Sequence, residues 1–281
     1  MKAADYAKHV GELFVLPDTC LKIKELMDCK VSDLDEIAEI IVLDPALTSR
    51  LLKLANSALY NFPHQIDSVS KAVLLLGQTQ VYNMVIAYGA TEAFAKAPTN
   101  VIDLERFWEC SIHAALIGKY LGQLLGIKQS EPLYLCGLLH QIGELVVTEV
   151  NPEVARHCSE YRRGVKPWEQ QRQLLGFSYN ECSAELLSLW QLPNNIIEPI
   201  RWLHQPEQDA DSRVLQVLHI ATRLALLNCA PETFTLDEVI DLHSFDNLSL
   251  TRGDIADARA FASLEGLAIL GLLNPRSSMI L

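Results

Sequence analysis

Apolar residues recur at three- and four-residue spacing along most of the chain, the period of an amphipathic helix. Leu34, Ile37, Ala38 and Ile41 form one such stripe behind Ser32 and Asp35, which read as a capping box. Asp44-Pro45 reads as an N-cap followed by a proline already set to helical φ. The helix it opens turns Leu47, Leu51, Leu54, Ala55 and Ala58 inward. Gly77 is expected to end a helix over 70–76 with a left-handed cap, after which Val81, Val85 and Tyr88 carry the pattern toward Phe94. Ala97-Pro98-Thr99-Asn100 is a break. Beyond it, Asp103 caps a long helix with Phe107, Ser111, Ala114, Gly118, Leu121 and Leu125 on one side, closed by Gly126. Ser130-Glu131-Pro132 opens a helix expected to run unbroken through His140 to about residue 150, where Asn151-Pro152 interrupts. Further helices are expected at about 153–163, 167–175, 179–190, 194–203, 212–229 and 251–272. No useful alternation marks a strand. The expected fold class is all-α, with an N-terminal helical lobe over 1–100, a helical core over 101–230 and a C-terminal helical extension over 231–281.

Composition narrows the setting. Apolar residues make up 49% of the 281, enough for a sizeable core and too many for a disordered chain. No apolar run approaches the roughly 20 residues of a membrane span, and charge recurs through the first nine residues, so a cytoplasmic protein is expected. Seven scattered cysteines without a Cys-x-x-Cys pair argue against a disulfide framework and a zinc knuckle; they read as small core hydrophobes with inert thiols. Net charge is −12, and Arg162-Arg163 is the only adjacent basic pair. Nucleic acid and anionic membranes are therefore not expected partners, while a small anion in a local pocket stays compatible.

The stretch with the most chemistry is Gly137-Leu138-Leu139-His140-Gln141-Ile142-Gly143, a histidine and an amide in an apolar helix. A His-Asp pair there could ligate a divalent metal through imidazole and carboxylate. Gln141 supplies no charge to offset a dication. The segment resembles the Leu-Leu-His-Asp-Ile-Gly signature of the HD superfamily of metal-dependent phosphohydrolases, with Gln141 in place of the aspartate. Leu16-Pro17, Asp44-Pro45-Ala46-Leu47-Thr48, Leu54-Ala55-Asn56-Ser57-Ala58 and Ala72-Val73-Leu74-Leu75-Leu76-Gly77 resemble the HDOD domain, an HD-related output domain of bacterial signalling proteins. The likeness covers about residues 13 to 228 and rests on the order and spacing of these fragments.

The resemblance implies an HD-domain, phosphodiesterase-like helical bundle and a set of ligand positions. Anchored on Phe107-Trp108, the first metal histidine falls at Cys110, with His113 one turn on as a possible substitute. A later histidine falls at Tyr179, a histidine pair at Leu203-His204-Gln205-Pro206, and the last metal aspartate at Thr222. Both carboxylates are thus replaced. The implied site is a vestigial ligand pocket of Cys110, His113, His140, Gln141, Tyr179, His204 and Thr222, with no catalytic residue or cofactor expected and weak divalent metal binding left open.

Each of these residues also has an ordinary reading. His140 is either a core histidine held by a backbone carbonyl or part of a polar pocket. His113 and His204 fit half-buried positions on amphipathic helices, Tyr179 fits packing, and Asp44 and Asn56-Ser57 fit helix termini. Three functions follow. The first is a regulatory protein acting through protein contacts or a small nucleotide-like ligand. The second is a divergent metal-dependent phosphohydrolase, of phosphomonoesters or cyclic dinucleotides, using His113, His140, His204 and Gln141. The third is a partner-binding domain with no pocket.

Overall fold

A computed structural model describes residues 1–28, 33–57, 60, 62–95, 101–127, 130–241 and 243–273. Every regular element among them is helical; the one pairing of strand type is an isolated bridge between Arg162 and Val165. Contacts divide these residues into two units, one of residues 1–14 and 101–266, the other of residues 15–95 and 267–273. The boundary near residue 96 abuts the Pro98 break, but the first helix, α1 (Ala3–Val10), belongs with the larger unit. The sequence grouped it with the N-terminal lobe; its packing partners lie much later in the chain.

The smaller unit contains α2 (Asp18–Asp28), α3 (Leu34–Val42), α4 (Pro45–Ala55) and α5 (Val69–Ala93), with the first three packed on α5. Asp44 caps α4 by accepting from the amides of Ala46 and Leu47. The cap of α3 is Asp33, which accepts from Asp35 N; Ser32 and Ala58 lie outside the described residues. Asn56 ties its loop with bonds to Leu52 O, Ile66 O and Ile66 N, a structural use for that residue. Gly77 breaks α5 at φ 75°, ψ 162°, an extended conformation essentially restricted to glycine. It is a kink between helical segments instead of the left-handed cap expected.

The larger unit continues with α6 (Leu104–Leu124), α7 (Glu131–Leu139), α8 (Gly143–Val150), α9 (Pro152–Ser159), α10 (Pro167–Leu175), α11 (Tyr179–Leu189) and α12 (Asn194–Arg201). A 3-10 turn at Pro206–Asp209 leads to α13 (Arg213–Cys229), α14 (Leu236–Val239), α15 (His243–Leu248) and α16 (Arg252–Leu273), of which residues 252–266 belong to this unit. The centre is α6, flanked by α7 and α13. A Cβ on Gly137 would lie 2.5 Å from Ala115 N, so α7 crosses α6 at backbone contact. α1 lies against α8 and α11, with Tyr6 edge-on to Phe177 at 5.1 Å. Trp190 Nε1 donates to Phe14 O at 2.8 Å, clamping the end of that segment.

One stretch, Pro132–Val150, is long and apolar enough to cross a membrane, contrary to the sequence reading. It is 78% buried within the protein and is broken at its middle, so it serves as core.

Candidate functional site

The helix expected to run unbroken through His140 is interrupted at residues 140–142. Backbone angles stay helical there, yet the hydrogen bonds tighten: Ile142 N reaches Leu139 O and Glu144 N reaches Gln141 O. The cause is Ser183 on α11. Its hydroxyl lies between His140 O (2.8 Å) and Gly143 N (2.8 Å), taking the place of a ladder bond. Gly143 permits the approach, because a Cβ there would lie 2.2 Å from Tyr179 O. The turn aims His140 and Gln141 into the same region as the start of α11 and the middle of α13.

They meet in a cavity of about 60 Å³. His140, Gln141 and Glu144 come from the broken helix; Trp168 and Gln171 from α10; Tyr179 and Asn180 from α11. His204 follows α12, and Thr222 and Arg223 come from α13. Five of the seven expected residues therefore line one space. Cys110 and His113 do not. Successive residues on a helix point about 100° apart, and it is Ser111 on α6 that faces the turn, accepting from Gln141 Nε2 at 3.2 Å. Cys110 and His113 face Cys229 on α13 instead.

Internal bonds already spend much of the polar chemistry. His140 Nδ1–H donates to Gly137 O at 2.6 Å, leaving Nε2 as the free acceptor. Gln141 also donates to Phe107 O, and Thr222 Oγ1 donates to His219 O. Thr222 and Gln141 are thus anchored, and neither carries a charge. Among the described residues Tyr179 Oη meets only the Cys158 thiol, and Asn180 Oδ1 has no partner. Two unspent polar atoms in a buried wall call for an explanation.

The residues missed by sequence reasoning hold the charge. Arg223 is 3% exposed, and no ion pair is formed by its guanidinium among the described residues. It donates to His219 O (2.9 Å) and His204 Nδ1 (3.2 Å) and sits 4.4 Å from the centre of the Trp168 ring. Trp168 in turn stacks on His204 at 4.6 Å. Burial pulls Arg223 down to about 9. Burial also holds His140 at about 4 and His219 at about 3, with Arg223 adding to both, and pushes His204 the same way. At neutral pH these imidazoles are uncharged. Glu144 is raised by burial to about 7, with Arg106 opposing.

The metal implied by the HD resemblance finds a poor donor set here. Among the described residues no group of three or more His, Cys, Asp or Glu side chains is placed to share one ion. At the aligned positions Gln141 and Thr222 offer only uncharged oxygens, and the buried cation Arg223 repels a dication.

The HDOD domain family profile matches residues 13–206, well over half of the chain. The chain belongs to the HDOD family. A Treponema pallidum (strain Nichols) protein, named only as uncharacterized, is 28% identical over 205 residues, spanning 72% of this chain. This HDOD protein accounts for only 39% of that relative's length. Its fold is that of a candidate phosphohydrolase from Shewanella amazonensis SB2B, with a TM-score of 0.74 at 24% identity, covering 95% of this chain and 98% of that one. A candidate signal transduction protein from Marinobacter aquaeolei VT8 superposes with a TM-score of 0.71 at 23% identity, over 95% and 61%.

Glu144 yields a stability prediction within this HDOD core. Its folded-state pKa lies above the unfolded value, so the unfolded chain ionises first. Stability contributed by the protonated acid is present below about pH 4.5 and is lost as pH rises toward 7. Glu144→Gln removes that loss and is expected to gain up to about 3 kcal/mol at pH 8 relative to the parent. Urea unfolding from pH 4 to 8 measures it; parallel curves for the two proteins would refute the assignment.

Proposed function

We propose that this HDOD protein is a non-catalytic regulator whose core cavity takes a small anion, a phosphoryl group foremost, and passes its occupancy on through protein contacts. The observation that carries the reading is Arg223, a buried guanidinium with no carboxylate partner among the described residues, facing a cavity whose imidazoles are neutral and whose one carboxyl, Glu144, is held up by burial. A guanidinium has five N–H donors, and two are spent on internal bonds. The remainder suit a phosphate or carboxylate fork, and Tyr179 Oη and Asn180 Oδ1 suit the P–OH of a protonated phosphate. A cavity of about 60 Å³ has room for a few waters at roughly 10–15 Å³ each, or for a group of phosphate size. A nucleotide-like ligand would enter by its phosphate alone.

Calorimetric titration with inorganic phosphate, and separately with nucleoside monophosphates, tests this. One site per chain is expected, with p-nitrophenyl phosphate left intact in the presence of added manganese. Metal-dependent turnover abolished by His140→Ala would overturn the reading. It would favour a divergent phosphohydrolase, which one observation supports: Glu144, poised near neutrality, shares the cavity with His140 Nε2 and His204. His113 has no part in that alternative, since it lies off the cavity wall.

A further inference from the structure

The two expected pocket residues that the cavity leaves out meet a third side chain elsewhere. Cys229, the last residue of α13, is only half-buried, whereas Cys110 on α6 is buried behind it. The Cys110 and Cys229 thiols lie within hydrogen-bonding reach of each other, and His113 Nδ1 stands 3.8 Å from the Cys229 sulfur. Two sulfurs and one imidazole thus converge at the packed face of α6 and α13. Gly266 on α16 backs the imidazole: a Cβ there would lie 2.9 Å from His113 Nε2.

We propose that Cys229, Cys110 and His113 form a thiol oxidation site, with Cys229 attacking hydrogen peroxide and Cys110 resolving the product as a disulfide between α6 and α13. In the first step the Cys229 thiolate attacks one peroxide oxygen. The S–O bond forms, the O–O bond breaks, and hydroxide leaves to be protonated to water. In the second step Cys110 sulfur attacks the sulfenic sulfur. The S–S bond forms, the S–O bond breaks, and the departing hydroxide takes the Cys110 proton. Two thiols and one peroxide give one disulfide and two waters.

The surroundings set the division of labour. Hydrogen bonds from Cys110 and His113 hold the Cys229 thiol at about 7, against opposition from burial and from Glu109. Its contact with Cys229 and its own burial push Cys110 up, as befits the second nucleophile, not the first. The other described cysteines offer no comparable thiolate. Cys20, Cys136, Cys158 and Cys182 are buried, and burial raises each of them. Cys29 lies outside the described residues, so Cys29→Ser supplies the background for a test.

In that background, hydrogen peroxide at pH 7 followed by alkylation and peptide mass mapping is expected to give a 110–229 cross-linked peptide, reversed by dithiothreitol. Cys110→Ser is expected to replace the cross-link with a dimedone adduct on Cys229. His113→Gln is expected to slow peroxide consumption roughly tenfold at pH 7, by taking the thiol back toward its ordinary ionisation. Circular dichroism confirms that each variant is folded. Full alkylation of both cysteines after peroxide would overturn the proposal. So would a dimedone adduct on any other cysteine in the Cys110→Ser protein.

Discussion

Gly143→Ala is expected to destabilise the protein by about 3 kcal/mol or more, roughly 10 °C in Tm, and to close the cavity to ligand. The added methyl would stand 2.2 Å from Tyr179 O and 2.8 Å from Ser183 N, both backbone atoms that cannot rotate away. α8 and α11 must separate to admit it. Separation withdraws the Ser183 hydroxyl from the broken turn, and with it the support for His140 O and Gly143 N. Each buried group left unsatisfied adds about 1–3 kcal/mol. Gly253→Ala serves as the control: its Cβ would meet only Thr251 Oγ1, at 3.5 Å, and no loss is expected. Thermal unfolding by circular dichroism compares the two. Equal midpoints would mean that the close approach of α8 to α11 is not required.

Arg223→Met separates binding from structure. Phosphate binding is expected to fall about 30-fold or more, since truncating a buried hydrogen-bonded charge costs about 2–5 kcal/mol of affinity. Stability without ligand is expected to stay level or rise, because the variant no longer buries a cation that lacks a counter-charge. The rise in Tm that saturating phosphate confers on the parent should vanish with it. Differential scanning fluorimetry with and without phosphate reads both effects. A variant that binds phosphate as the parent does would remove Arg223 from the site. A variant that fails to fold would assign Arg223 to the core instead.

Much of the helix pattern was legible because caps and stripes are local. Asp44 and Asp103 cap where expected, and α10 begins and ends at the residues read from the chain. The interruption at His140–Ile142 was not legible, since its cause is a serine forty residues on in a different helix. The cavity was half legible. His140 and Gln141 stood out by motif, and Tyr179, His204 and Thr222 followed from the resemblance. Cys110 was misplaced by a single helical step, the 100° that separates it from Ser111. Glu144 and Arg223 carry a signal that went unused: each is a lone charge inside an apolar run, Gly143-Glu144-Leu145-Val146-Val147 and Ala221-Thr222-Arg223-Leu224-Ala225. A charge in such a run has to find a partner or a purpose.

The placement of α1 bears on how the molecule is made. Its partners in α8 and α11, and the Trp190 that holds Phe14 O, lie as much as 179 residues later. During synthesis at about 5–20 residues per second, α1 waits on the order of 10–30 s for its seat. Residues 15–95 need no such delay, because their helices pack on one another. α1 is therefore placed long after it is made, and until then its apolar face of Tyr6, Ala7 and Val10 is open to chaperones.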